Sequence, residues 1–71
     1  MGLTHKQQVF VNEYLRDFNA TQAAIRTGYS QKSAGAIGNE NLLKPEIKQA
    51  IEQRIERGDL KTERALRALL D

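Results

Sequence analysis

The sequence predicts an all-α fold of four to five short helices with a central helix-turn-helix. Apolar residues recur at helical spacing, and no stretch alternates in the way a half-buried strand would. Cap residues, glycines and one proline divide the chain into short helices. The 71 residues are 39% hydrophobic and 28% charged, so they are one small domain at most.

The first predicted helix runs from about His5 to Arg16. Thr4 is a favourable N-cap, and Gln7 stands three residues later, which is the spacing of a capping box. Apolar residues follow at i, i+3, i+4 and i+7, which is the spacing of one helix face. This face, which we expect to pack into the core, consists of Val11, Tyr14, Leu15 and Phe18.

The second predicted helix starts after Asn19 and is only about eight residues long. Asn19 and Gln22 repeat the cap spacing of the first helix. Gly28 suits the left-handed position that follows a helix C-terminus. We expect Tyr29 to be tucked into the core as the hinge of the turn. The small-residue face of this helix consists of Ala20, Ala23 and Ala24.

The third predicted helix has Ser30 as its N-cap and continues to about Leu43. Successive residues turn by about 100° around a helix. On that basis Ala34, Ile37 and Gly38 face the core. Asn41 also falls near the core side, which is unusual for an amide side chain.

Pro45 fits the first turn of a fourth helix, with Lys44 held in an extended conformation before it. The apolar residues of this helix are Ile47, Ala50, Ile51 and Ile55, and we expect it to stop at Gly58. A last helical segment is predicted at about Lys61 to Leu70. Its apolar stripe starts just before the end of the chain, which suggests a truncated chain, although a short native tail is also compatible.

Composition excludes several functions. The absence of Cys excludes a disulfide framework and a Cys-based zinc site, and a single histidine, His5, excludes a multi-His metal cluster. No apolar run reaches the roughly 18 residues of a membrane span, and no signal pattern is present. Two pairs of carboxylates four residues apart, Glu13/Asp17 and Glu52/Glu56, are expected on solvated surfaces. We therefore expect no enzyme activity, no cofactor and an intracellular location.

The net charge of +2 is concentrated in the first half of the chain. Residues 1–39 contain four basic side chains, Lys6, Arg16, Arg26 and Lys32, and two acidic ones. Residues 40–71 contain seven of each sign. The mixed second half is typical of a solvated helical surface, so any anionic partner is expected at the first half.

The second and third predicted helices, joined by the three-residue turn Gly28-Tyr29-Ser30, have the layout of a helix-turn-helix. In such motifs the second helix lies in the DNA major groove, and the first braces it across the backbone. The outward face of the third helix is small and carries one charge. It consists of Lys32, Gly35, Ala36 and Asn39. A face that is merely solvated usually carries several Glu and Lys residues. Because this face carries only one charge and its residues are small, it predicts DNA recognition.

Individual side chains on these helices suit different DNA contacts. Asn39 can pair with adenine through two hydrogen bonds, and Lys32 can reach guanine or phosphate. Gly35 lets the helix backbone lie deep in a groove. Phosphate contacts are predicted for Ser30, Gln31 and Ser33 at the helix start, and backbone-positioning contacts for Thr21, Gln22 and Arg26.

Alternatives remain open from the residues alone. The small residues can instead pack within a helical bundle that binds a protein. Gln22 can serve only to close a capping box, and Arg26 can pair only with Asp17 or Glu13. If Lys6, Arg26 and Lys32 alone neutralise phosphates, the salt slope of DNA binding is about −2.7. Binding by one copy is then weak, and avidity in an oligomer would supply useful affinity.

Long runs of this chain resemble the phage terminase small subunits. Residues 3–15, LTHKQQVFVNEYL, are similar to the opening of that family, and residues 19–30, NATQAAIRTGYS, match its most recognisable stretch. The run from Ser33 through Ile47 also fits, so the resemblance covers about residues 3–57. Two positions depart from the pattern, because His5 stands where proline is common and Lys44 where asparagine is common.

The resemblance implies functions beyond those that spacing indicates. Such proteins recognise the packaging-initiation site on concatemeric viral DNA and pass it to a large subunit that supplies the ATPase and nuclease. It implies a helix-turn-helix DNA-binding domain at residues 1–58 and the start of a helical linker or oligomerisation segment at 59–71, cut short here. Carried onto this chain, its DNA-binding positions are those already chosen from the residues: Thr21, Gln22, Arg26, Ser30, Gln31, Lys32, Ser33 and Asn39.

The partners implied are double-stranded DNA, the terminase large subunit, and further copies of the full-length protein in a ring, with this fragment monomeric. The location implied is the cytoplasm of the infected bacterial host. The alternative function is a DNA-binding module of a transcription regulator or recombinase, which shares the helix-turn-helix and differs in its target.

Overall fold

A computed structural model describes residues 2–57 of the chain. They form four α-helices: α1 (His5–Asp17), α2 (Ala20–Thr27), α3 (Gln31–Leu43) and α4 (Pro45–Glu56). No strand occurs within these residues, which confirms the all-α prediction. The predicted stop at Gly58 and the predicted last segment, about Lys61 to Leu70, lie outside the described residues.

Helix α1 begins with the predicted capping box. The Thr4 hydroxyl accepts a hydrogen bond from the Gln7 backbone N–H at 3.1 Å, and the Gln7 side chain accepts one from the Thr4 N–H at 3.0 Å. The helix ends at Asp17, and its C-cap residue Phe18 has a left-handed φ of 57° although it is not a glycine. Its backbone N–H donates to the Tyr14 carbonyl at 2.7 Å. Local hydrogen bonds therefore define both ends of α1.

The buried face of α1 differs from the predicted stripe. Phe10 is fully buried, together with Val11 and Leu15, whereas Tyr14 and Phe18 are only partly buried. Helix α1 contacts both α2 and α4. Because α1 packs against two neighbours, its buried face is wider than the predicted stripe and includes Phe10, while Tyr14 and Phe18 also pack against the core.

Helix α2 has the predicted length of eight residues and the predicted caps. The Asn19 side chain accepts a hydrogen bond from the Gln22 N–H at 3.0 Å. Gly28 ends the helix with φ at 115°, a region that favours glycine. The Gly28 N–H donates to the Ile25 carbonyl, and the Tyr29 N–H donates to the Ala24 carbonyl. The turn after α2 is therefore closed by backbone hydrogen bonds.

Lys44 alone separates α3 from α4. Its backbone is extended, with φ −73° and ψ 129°, as expected for a residue before proline, and Pro45 is the first residue of α4. The N-cap of α3, Ser30, makes no side-chain hydrogen bond to the helix backbone. Helix α4 ends at Glu56, with Arg57 as its C-cap.

The core lies between the four helices. The buried apolar residues are Phe10, Val11, Leu15, Ala23, Ala24, Ala34 and Ile47. Helix α3 contributes Ala34, Gly38 and Asn41 to the buried region, and Asn41 is only 4% exposed. The prediction that Ile37 faces the core holds only in part, because Ile37 is half-buried. The burial of Asn41 agrees with its predicted place near the core side of this helix.

Candidate nucleic-acid interface

Helices α2 and α3 pack backbone to backbone, and this contact defines the candidate interface. Ala23 and Ala24 on α2 are completely buried. Gly38 on α3 is buried against the start of α2, where a Cβ atom on it would lie 2.5 Å from the Ala20 carbonyl oxygen. Alanine and glycine at these positions allow the two helices to approach closely. The opposite side of α3 is consequently directed away from the core.

The outer face of α3 contains most of the predicted contact residues. Lys32, Ala36 and Asn39 are exposed and recur at i, i+4 and i+7. Gly35 is half-buried, and a Cβ atom on it would lie 3.8 Å from the Thr21 hydroxyl oxygen. Gly35 therefore lies on the side of α3 nearest to α2, and the outermost row consists of the other three residues.

The start of α3 presents short polar side chains to solvent. Ser30, Gln31 and Ser33 are all exposed. The Ser30 hydroxyl donates to the Ser33 hydroxyl at 3.3 Å. The Ser33 backbone N–H donates to the Ser30 carbonyl at 3.1 Å. The predicted phosphate-contacting residues are thus neighbours on an accessible surface.

The exposed side of α2 adds two further predicted residues, Thr21 and Gln22. The alternative in which Gln22 closes a capping box does not hold. The Asn19 backbone N–H, which a capping box would give to Gln22, donates to Asp17 Oδ1 at 3.1 Å. Gln22 takes part in the cap only through its backbone N–H.

Arg26 is held by carboxylates of α1. Its Nη2 lies 2.7 Å from Asp17 Oδ2, and its Nη1 lies 3.6 Å from Glu13 Oε1. Nη1 also donates to the Glu13 backbone carbonyl at 3.3 Å. The hydrogen bond to Asp17 raises the pKa of the Arg26 guanidinium above its ordinary value. Arg26 therefore makes the ion pairs with Asp17 and Glu13 that the alternative interpretation of its role predicted.

Lys6 lies beside the turn between α2 and α3, a position that sequence reasoning did not find. Its Nζ is 4.1 Å from the centroid of the Tyr29 ring, within the range of a cation–π contact. Tyr29 is partly buried and packs against the core, rather than being tucked fully inside it. No sequence signal joins these residues, because they are distant in the chain and meet only through packing.

Potential metal ligands are not clustered within residues 2–57. No cluster of three or more His, Asp or Glu side chains there is placed to hold a metal ion. Glu13 and Asp17 are engaged with arginines, and His5, Glu52 and Glu56 are exposed. Over the same range, no helix has the length and apolarity to cross a membrane.

Residues 2–57 thus form an all-α unit. Its two closely packed helices α2 and α3, joined by a glycine turn, are compatible with a helix-turn-helix layout. The family model described as terminase small subunit matches residues 3–71. The chain belongs to that family.

Curated relatives agree with this assignment. The terminase small subunit of Bacillus phage SF6 is 54% identical over 54 residues, which are 75% of this chain and 37% of that protein. That of Bacillus phage SPP1 is 48% identical over 59 residues, covering 82% of this chain and 40% of that protein. The PBSX phage terminase small subunit of Bacillus subtilis strain 168 is 48% identical over 44 residues, 62% of this chain and 16% of that protein. The chain thus spans about two fifths of the two phage relatives.

Proposed function

We propose that this chain is the DNA-binding part of a terminase small subunit and recognises the packaging-initiation site of a phage genome. The observation that carries the proposal is the exposed row of Lys32, Ala36 and Asn39 on α3, which faces away from the buried Ala34, Gly38 and Asn41 of the same helix. This row is small enough to enter a major groove and has two side chains able to reach base edges. Family membership supports the packaging role.

In this proposal the contacts divide into two kinds. Asn39 reads a base edge, and Lys32 reads guanine or a phosphate. The remaining contacts fix the position of the protein on the DNA backbone. They come from Ser30, Gln31 and Ser33 at the start of α3 and from Thr21 and Gln22 on α2, with Gly35 permitting close approach of the α3 backbone. Arg26 contributes indirectly, because its ion pairs hold α2 against α1.

The wider role follows from the family. We propose that residues 1–58 are the DNA-binding domain and that residues 59–71 begin a segment leading to oligomerisation. The full-length protein would assemble a ring, engage the terminase large subunit and act in the cytoplasm of the infected host without catalytic activity of its own. This chain alone would be monomeric and bind DNA weakly, since few cations face the DNA.

An NMR titration of the isotope-labelled chain with short duplexes tests the proposal. Duplexes from the packaging region and unrelated duplexes of equal length are compared at low and moderate salt. We expect shifts concentrated on residues 20–39 that weaken as salt rises and are larger with the packaging-region duplex. Absence of shifts in residues 20–39 at low salt would refute DNA binding through this surface. Equal shifts with both duplexes would refute site recognition by this chain.

A further inference from the structure

We propose that Lys6 is a DNA-backbone contact and that Tyr29 is the positioning residue that holds it at the same surface as the start of α3. This inference rests on the proposed DNA binding and adds a contact from α1, which lies outside the helix-turn-helix. The observation behind it is the contact between Lys6 Nζ and the Tyr29 ring, at 4.1 Å, which places Lys6 of α1 beside the turn that precedes α3.

Within residues 1–39, the pairing of charges leaves two cations for an anionic partner. Residues 1–39 contain four basic and two acidic side chains. Both acidic side chains, Glu13 and Asp17, are taken by Arg16 and Arg26 at distances of 2.7 to 3.6 Å. Within residues 2–57, Lys6 and Lys32 have no carboxylate partner. The excess charge of +2 in the first half therefore belongs to these two lysines.

The aromatic ring holds Lys6 without neutralising it. A carboxylate would cancel the charge, whereas the face of a ring attracts a cation through its quadrupole and carries no net charge. Lys6 is exposed, so its ammonium can still donate to an external oxygen. Reduced freedom of the side chain lowers the entropy lost when it binds.

The location of Tyr29 directs this charge toward the candidate interface. Tyr29 directly precedes Ser30, the N-cap of α3, and its backbone N–H is bonded to the Ala24 carbonyl of α2. The ring is thus attached to the turn itself. Lys6 therefore meets the turn that precedes α3, and Lys32 is the second residue of that helix.

Binding of a fluorescent duplex by the 71-residue chain, measured by anisotropy from 50 to 200 mM salt, tests the inference. If Lys6 and Lys32 are the two phosphate-neutralising cations, the wild-type slope of log K against log salt is about −1.8. Lys6→Ala should make the slope shallower by about 0.9, and Lys6→Arg should restore it. Lys48→Ala removes an exposed α4 lysine and serves as the matched control, with no expected change in slope.

Tyr29 variants test the positioning role. Tyr29→Phe keeps the ring and should bind DNA like the wild type, whereas Tyr29→Leu should weaken binding about as much as Lys6→Ala. In the Lys6→Ala background, Tyr29→Leu should have no further effect on binding, because the residue acts through Lys6. Circular dichroism checks that the variants remain helical, and the Lys6 variants decide the contact even if Tyr29→Leu unfolds.

The outcomes separate this inference from the proposed function. If Lys32→Ala weakens binding while Lys6→Ala leaves affinity and slope unchanged, the Lys6 contact is refuted and DNA binding by α3 stands. If the wild-type chain binds no duplex at any salt, both are refuted. If Tyr29→Leu remains folded and binds normally while Lys6→Ala does not, Lys6 is a contact and Tyr29 does not position it.

Discussion

Gly38 of α3 lies against Ala20, the first residue of α2. A Cβ atom on Gly38 would be 2.5 Å from the Ala20 carbonyl oxygen and 3.2 Å from the Ala20 Cβ. Real Cβ atoms do not approach a backbone oxygen so closely, so the separation of the two helices depends on glycine here. The direction of the outer face of α3 therefore depends on a residue on its inner face.

Gly38→Ala and Gly35→Ala should change stability in opposite directions. Alanine at Gly35 meets only ordinary contact with Thr21, so the gain in helix propensity should raise the free energy of unfolding by about 0.5–1 kcal/mol. Alanine at Gly38 forces α2 and α3 apart and should lower it by about 1–3 kcal/mol. Urea unfolding measures both. Equal stability of the two variants would contradict the close packing at Gly38.

Gly28→Ala should destabilise the chain through backbone strain alone. The φ of Gly28 is 115°, and no atom lies within 4 Å of a Cβ placed there. We expect a loss of about 1–2 kcal/mol, because L-residues disfavour this conformation, and a greater loss for Gly28→Val. Gly2→Ala, at an open position without positive φ, is the control. A thermal midpoint unchanged in Gly28→Ala would show that the turn is built differently.

Arg26→Gln distinguishes a role of Arg26 in holding α2 against α1 from a role in contacting DNA. Loss of the ion pairs with Asp17 and Glu13 should lower the thermal midpoint more than Arg16→Gln does, since Arg16 is more exposed and pairs only within its own helix. The salt slope of DNA binding should stay the same, because these carboxylates already neutralise Arg26. A slope shallower by about 0.9 would instead identify Arg26 as a phosphate contact.

Lys32→Glu should weaken DNA binding without loss of helicity. Lys32 is exposed on the outer row of α3, so its replacement disturbs no core packing and reverses a charge that would face DNA phosphates. Anisotropy with a labelled duplex measures binding, and circular dichroism measures helicity. Lys48→Glu on α4 is the control for a general effect of charge. Equal weakening by both variants would argue against a specific role for Lys32.

Tyr14 should contribute to loss of stability at high pH. Burial raises the pKa of its phenol above the ordinary value of 10.0, so folding favours the neutral form. Its contribution to stability is complete below pH 10 and is lost as pH rises through the higher pKa of the folded state. Between pH 8 and pH 11, the free energy of unfolding should therefore fall less in Tyr14→Phe than in the wild type. An equal fall in the free energy of unfolding in both proteins would show that Tyr14 has the same pKa in the folded and unfolded states.

Within residues 2–57, the sequence by itself predicted the four helices and most of their ends. The capping box of Thr4, the cap at Asn19, the left-handed Gly28 and the start of α4 at Pro45 all occur as expected. Each depends on residues within about four positions of one another, so the chemistry of a short stretch determines it. The left-handed C-cap conformation of Phe18 was not predicted by this means, because phenylalanine has no particular preference for positive φ.

Only the tertiary structure decided which side chains meet across helices. It buries Phe10, leaves Ile37 partly exposed, directs Gly35 toward Thr21, joins Arg26 to α1 and brings Lys6 to Tyr29. A helical wheel gives the angle of a residue around the axis of its helix. It does not give which neighbouring elements pack against that side of the helix. The candidate site combines both kinds of information, because local sequence built its helices and their packing selected which charges remain available to a partner.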